Sequence, residues 1–524
     1  MKWCNQFFIL LTGAVLVSTG CEKSYQDLND NPNQAQHVPA PLILNGALID
    51  FYQAPWSLTQ RWNQYSNCNY NYYGNQEYNW GGAGLNYTTL KNITKMEQEA
   101  AGTFDEIGFK AVGKFLRAHF FYDMSMRVGD LPMTEALKGL ENLTPVYDSQ
   151  KDIFKQCLTW LEEANSEIAS LLAKSQGNLI NAGSKDSDIY FKGDLTKWQK
   201  VVNALKLRML IQLSKHENDA DLSIKQKFAS VINDPVKYPL LTGMIDNMQF
   251  EFNATRNKYP TSPDNFGFDA LRYNMSATYL NKLSSLNDPR AYVTAEPASK
   301  KVAGGMSPTD FAAFIGASSG EDLADMTTKA QNGEYSFINR KHYYSTYTAE
   351  PCIQVGYPEM CFNIAEAINR GWIAGDAEDW YKKGVQASIA FYGITEGANS
   401  VYFLEPGKGL GEFDTYTINF SFNTYYNQVA VKYAGNNATG LSQIVNQKYL
   451  AFFQNSGWEA YYNWRRTGIP TFLTGPGTGA NGVVPKRFQY PTSERATNET
   501  NLTEALQRQY GGNDDINAAM WIIK

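Results

Sequence analysis

The sequence predicts a mainly α-helical protein: a tetratricopeptide-like superhelix of helix hairpins whose long irregular loops carry the ligand site. Three observations lead there. Apolar residues recur at spacings of three and four in several segments. One pair of such segments spans 35 residues, 358–392, close to the roughly 34 of a tetratricopeptide hairpin. Between the pairs lie stretches without clear period, 55–90, 235–350 and 395–440. Loops of that length in a compact protein are functional or carry small elements of their own.

The elements follow in order. Residues 104–127 read as a helix despite Gly108 and Gly113. Between 149 and 174, Ile153, Cys157, Leu161, Ala164, Ile168 and Leu171 form one stripe, and Ser149 with Asp152 resembles a capping box. Between 194 and 216, Trp198, Val202, Leu205, Met209 and Leu213 form a second. Pro358 opens a helix over 360–372. Gly375 and Asp376 then start another, carrying Trp380, Val385, Ile389 and Tyr392. A last pair, 441–455 and 458–466, is divided at Gly457 and ended by Pro470. A hairpin cannot bury its apolar face alone, so such pairs stack.

The amino terminus carries an address. Met1 and Lys2 precede an apolar run of 11 residues, 7–17, too short to span a hydrocarbon core, which needs about 20. Ser18, Thr19 and Gly20 lead into Cys21. This looks like a lipoprotein signal (1–20) with Cys21 as the acylated first residue, although Ser18 stands where such signals usually have Leu. Ordinary signal cleavage near Gly20 is the competing reading. Residues 21–40 read as a lipid-anchored extended linker and 41–524 as a single helical domain.

Losing Lys2 leaves 45 basic against 52 acidic residues, a net charge of −7 instead of −6. Without clustered Lys and Arg this argues against nucleic acid. Cys68, Cys157, Cys352 and Cys361 show no zinc spacing, and they read as buried thiols of undetermined pairing. His37, His119, His216 and His342 are dispersed, so neither metal nor cofactor is expected. Asp27, Asn29 and Asn31 have calcium-loop spacing, but Pro32 replaces the turn glycine and Val38 the final Glu.

Loop 62–80 is the most distinctive segment: of 19 residues, seven are aromatic, six Asn and two Gln, and only Glu77 is charged. Sugar C–H faces stack on Trp and Tyr rings, while amides serve hydroxyls as donors and acceptors. Arg61, Trp62, Tyr72, Tyr73, Tyr78, Asn79 and Trp80 are therefore the candidate ligand contacts, with Arg256, Asn257, Tyr259 and Tyr273 behind them. The same composition also suits a polar loop whose rings pack onto the helical core. Gly316-Ala317-Ser318-Ser319-Gly320 matches the serine-hydrolase elbow without its strand–helix context. Residues 477–482 match a dinucleotide-type glycine pattern, but Val483-Val484-Pro485 follows where a helix should open.

The carboxyl-terminal segments carry a resemblance. Gln447-Lys448-Tyr449-Leu450-Ala451-Phe452-Phe453 is followed by Gly457-Trp458-Glu459-Ala460-Tyr461-Tyr462-Asn463-Trp464-Arg465-Arg466-Thr467-Gly468. Then come Pro485-Lys486-Arg487-Phe488-Gln489-Tyr490-Pro491 with Glu494, and Gly511-Gly512-Asn513-Asp514. With Asp27-Leu28-Asn29, Gly193-Asp194, Asp288-Pro289-Arg290 and Ala365-Glu366-Ala367, they resemble the SusD/RagB family of outer-membrane nutrient-binding lipoproteins, in its starch-binding-associated branch. The resemblance implies a tetratricopeptide-type scaffold without catalytic activity. It also implies a surface lipoprotein that lids a SusC-like TonB-dependent porin and captures glycan or peptide. Trp458, Trp464, Arg465 and Arg466 are then packing and ion-pairing residues, and ligand contacts come from variable loops. Oligosaccharide capture is the leading expectation. Peptide or glycopeptide cargo on the same fold is the alternative, ahead of a hydrolase using Ser318 or a carboxylate pair and of a pure assembly scaffold.

Overall fold

Helices begin where side chains can satisfy their first free amides. Ser149 accepts from the Asp152 amide, Asp194 from those of Thr196 and Lys197, Asp376 from that of Asp379 and Asn437 from that of Gly440. The computed structural model describes residues 37–179, 188–404 and 411–524. The signal segment, Cys21 and the run containing Asp27, Asn29 and Asn31 lie outside the described residues.

The longer helices of the scaffold are α1 (Ala40–Phe51), α2 (Tyr87–Ala100), α3 (Glu106–Val128) and α4 (Gln150–Ala173). They continue as α5 (Leu195–Gln212), α6 (Ile224–Asn233), α7 (Tyr357–Asn369) and α8 (Ala377–Phe391). The last three are α9 (Ala438–Ala451), α10 (Glu459–Thr467) and α11 (Glu499–Tyr510). Neighbours pack in succession from α1 to α5. Then α5 meets α7, which also carries α8 and α9, and α10 closes against both α5 and α9. The expected mainly helical, tetratricopeptide-like fold is what forms. One contiguous apolar cluster runs through it from Ala40 to Ile522.

The unpatterned stretches hold short helices and three antiparallel strand pairs. β1 (Ser66–Cys68) pairs with β3 (Tyr273–Met275), and β2 (Met248–Phe250) with β4 (Cys352–Val355). β5 (Gly397–Leu404) pairs with β6 (Phe413–Phe420) in full register, from Gly397 opposite Phe420 to Leu404 opposite Phe413. Val401 and Phe403 turn inward while Tyr402 turns out, the period-two signature of a strand with one covered face.

Most buried guanidinium groups are paired with carboxylates, as burial demands, while the buried Lys448 ammonium donates to Asn363 and Asn463. Arg208 meets Glu359, Arg290 meets Asp288, Arg466 meets Glu366 and Arg487 meets Asp514. In the same region Trp464 stacks on Phe472 at 4.7 Å, and Arg465 donates to the Lys486 carbonyl.

Candidate functional site

Loop 62–80 divides into an inner and an outer part. The Trp62 indole N–H donates to the Glu77 carbonyl (2.9 Å), and the Tyr78 hydroxyl donates to the Trp62 carbonyl (2.6 Å). Trp80, 5% exposed, lies parallel to Phe488 at 4.1 Å, with Trp62, Trp458 and Tyr461 at its edges. Trp62 is half-buried and stacks on Trp458, and Tyr78 is fully buried. Arg61 and Asn79 brace the turn. Arg61 donates to the Asn75 carbonyl, while Asn79 donates to Glu77 and accepts from the Ala480 amide. The structure thus places Trp62, Tyr78 and Trp80 among core side chains. Rings of that size gain most when water leaves both faces.

The outer part is different. Tyr72 is 86% exposed, Tyr73 half-buried and Tyr70 exposed. The guanidinium of Arg272 sits over the Tyr70 ring at 4.2 Å and 5.9 Å from that of Tyr73. The β1–β3 pairing fixes this arrangement, because the Asn69 amide donates to the Arg272 carbonyl at 2.9 Å. Burial pushes the Cys68 thiol up, against the pull of Arg61 and Arg272. Of the other candidates, Tyr273 belongs to β3, Tyr259 is buried and accepts from the Trp56 indole, and Asn257 donates to the Glu251 carbonyl. Arg256 is exposed.

Asn69 and Arg272 lead into a cleft of about 440 Å³ beside the β5–β6 hairpin, walled by Phe337, Phe403 and Tyr416 and by the Arg340–Glu296 pair. Apolar walls with a few convergent polar groups are what a small-molecule site requires. None of these wall residues was a candidate from the sequence. The alternation around Val401 and Phe403 was the local signal available, and the rest converge from distant segments. A second, more open cleft of about 820 Å³ lies against β6, lined by Tyr292, Phe311, Phe420 and Tyr425 with neutral polar neighbours.

The catalytic patterns have packing explanations. A Cβ on Gly316 would sit 2.5 Å from Ala277 backbone, and one on Gly320 only 2.2 Å from that of Thr474. The Ser318 hydroxyl accepts from the Gly320 amide, while His342 Nε2 lies 3.1 Å from Glu350. Residues 476–482 form two short 3₁₀ turns, where a Cβ on Gly477 would strike the Glu321 carbonyl. Cys68, Cys157, Cys352 and Cys361 are buried free thiols. Among the described residues no cluster of three His, Cys, Asp or Glu side chains could hold a metal, and no helix is long and apolar enough to cross a membrane.

Comparison with known proteins agrees with this architecture. The SusD-like family described as starch-binding and associating with the outer membrane matches residues 49–491. A SusD homologue from Bacteroides fragilis superposes with a TM-score of 0.80 at 29% identity, covering 93% of this chain and all of its own. A second from the same organism gives 0.76 at 28% over the same shares. A chitin-binding protein, 24% identical over 93% of this chain and all of its own, shares the fold with a TM-score of 0.69. Among curated proteins none matches the chain.

Proposed function

Because the chain belongs to the SusD-like family, we propose that it is a cell-surface glycan-binding lipoprotein, anchored through Cys21 after removal of residues 1–20. A linker over 21–40 would present residues 41–524 as one helical domain. It captures oligosaccharide and passes it to a SusC-like TonB-dependent outer-membrane transporter. The cargo lies in the cleft beside β5–β6, with Tyr70, Tyr72 and Tyr73 at its rim. The observation that carries this reading is the cleft itself: an aromatic-walled cavity of about 440 Å³ whose lining Arg272 lies on the ring of the exposed Tyr70.

The chemistry follows from the walls. Phe337 and Tyr416, both half-buried, offer ring faces to sugar C–H groups, each worth on the order of 1 kcal/mol. Asn69 and Arg272 supply polar groups for hydroxyls. Calorimetry with an oligosaccharide panel tests the reading. Tyr416→Ala and Tyr72→Ala should each weaken binding several-fold with an unchanged melting temperature. Affinities untouched by both substitutions would remove the cleft from the site. Displacement of bound glycan by a peptide pool, but not by other glycans, would move the cargo class to peptide.

A further inference from the structure

Resting on the glycan-binding reading, we propose that the cargo carries an oxyanion substituent, a uronate carboxylate or a sulfate ester, and that Arg272 receives it in the cleft beside β5–β6. Among the described residues three charged side chains line that cleft: Arg272, Arg340 and Glu296. Two of them satisfy each other. The Arg340 Nε donates to Glu296 at 3.0 Å, a second guanidinium nitrogen joins it, and the Arg340 amide donates to the other carboxylate oxygen at 3.0 Å. Among the described residues, what remains is one positive charge without a carboxylate, that of Arg272.

Arg272 has no carboxylate partner among the described residues, and its Nε is buried without any hydrogen-bond acceptor. Asp269 meets it through the backbone, accepting from the Arg272 amide at its carbonyl. The contrast with the interior is chemical. Arg208, Arg290, Arg466 and Arg487 each hold a carboxylate, because a buried guanidinium without one is costly. Arg272 instead lies on the ring of Tyr70 at 4.2 Å. Stacking fixes the plane of the fork and leaves the in-plane N–H groups of its two terminal nitrogens for an acceptor in the cleft.

The position is also held before any ligand arrives. The Arg272 carbonyl accepts from the Asn69 amide, and the residue directly precedes β3. An oxyanion presenting two oxygens, those of a carboxylate or one edge of a sulfate, would meet a preset, bidentate donor beside Asn69, the geometry guanidinium groups favour. The chain carries a net charge of −6, which opposes anions at long range. Screening over about 8 Å at physiological salt leaves the local contact to decide.

Two matched pairs of probes test this by calorimetry: tetragalacturonate against its carboxyl-reduced form, and a sulfated galactan tetrasaccharide against its desulfated form. The acidic member of at least one pair should bind at least about tenfold tighter, and the preference should shrink as salt is raised. The pair that shows it tells carboxylate from sulfate. Arg272→Gln should erase the preference, bringing the acidic member down to the affinity of the neutral member measured on the same variant, with the melting temperature unchanged, and Arg272→Lys should keep part of it. Equal affinities within both pairs, no binding of either acidic member, or a preference that survives Arg272→Gln would each overturn the proposal. Neutral glycans that bind and lose affinity in Tyr416→Ala would still leave the glycan-binding reading standing.

Discussion

Replacing Trp80 with alanine separates the two roles that loop 62–80 could play. Trp80 is 5% exposed, stacks on Phe488 at 4.1 Å with the planes 2° apart, and touches Trp62, Trp458 and Tyr461 edge-on. Truncating a core tryptophan costs about 3–5 kcal/mol, because the transfer energy is lost and a cavity remains. That range already contains the lost parallel stack, itself about 1 kcal/mol, so a loss of about 4 kcal/mol is expected. At about 2.1 cal/mol/K per residue, unfolding a chain of 524 residues carries an entropy of about 1 kcal/mol/K. The melting temperature should therefore fall by about 4 °C. Scanning calorimetry reads this directly, and isothermal titration of the folded variant reads affinity. Tyr72→Ala, at a ring 86% exposed, should do the reverse: stability within about 0.5 kcal/mol of the parent and weaker binding. A Trp80→Ala protein that melts like the parent yet no longer binds would refute the packing argument.

Glu366 gives a pH signature. Burial opposes its ionisation, but Arg466 and Arg370 outweigh it and hold the carboxyl at about 2 against an ordinary 4.5. A depressed carboxyl contributes stability above its unfolded value and loses it as pH falls from about 4.5 towards 2, here about 3 kcal/mol. Glu459, pushed up by burial despite Arg208, works in the opposite sense. The difference between parent and Glu366→Gln isolates the first term: the variant should be about 3–5 kcal/mol less stable at neutral pH and show a shallower acid slope in denaturant titrations. Gly320→Ala should destabilise by more than about 1–3 kcal/mol, since its Cβ would meet Thr474 backbone at 2.2 Å, whereas Ser318→Ala should leave both melting and binding unchanged. A hydrolytic loss in Ser318→Ala would contradict this. Cys21→Ser should yield a protein without acyl chains by mass spectrometry, and an acylated variant would place the lipid elsewhere.

Helix starts were legible because a cap is a local event. Ser149, Asp194 and Asp376 each reach amides within three residues, so the first turn is written in adjacent letters. The stripe of α1, with Ala40, Leu44, Ala47, Leu48 and Phe51 buried, has helical spacing as well. The weakness lay in its entry, which carries Pro39 and no side-chain cap. The β5–β6 hairpin was missed although Pro406-Gly407 stands between its strands in the sequence, because the alternation behind its eight pairs is brief and lies in a stretch without helical period. The orientation of loop 62–80 could not be read at all. Whether Trp80 faces a ligand or Phe488 depends on where a residue some 400 positions later comes to rest. Composition is identical in both cases, because the same ring serves a dry stack and a wet one. The cleft walls failed for the same reason: Glu296, Arg340, Phe403 and Tyr416 meet only through the fold.

The two parts of that loop are coupled by construction. A binding rim that ordered itself only on meeting cargo would spend affinity on its own immobilisation. Here β1 ties residues 66–68 to β3, and the Trp62–Tyr78–Trp80 group ties the other end to the core. Between them the chain turns at Gly74, with φ of 111° and a Cβ site only 2.9 Å from an Arg61 nitrogen. A side chain there would be strained and would press on Arg61, which holds the Asn75 carbonyl. Tyr70, Tyr72 and Tyr73 are thus presented from a short span fixed at both ends. The dense aromatic content of the segment then has a single physical cause. Rings at the ends hold the loop in the core, so that rings in the middle can meet a solute at little entropic cost.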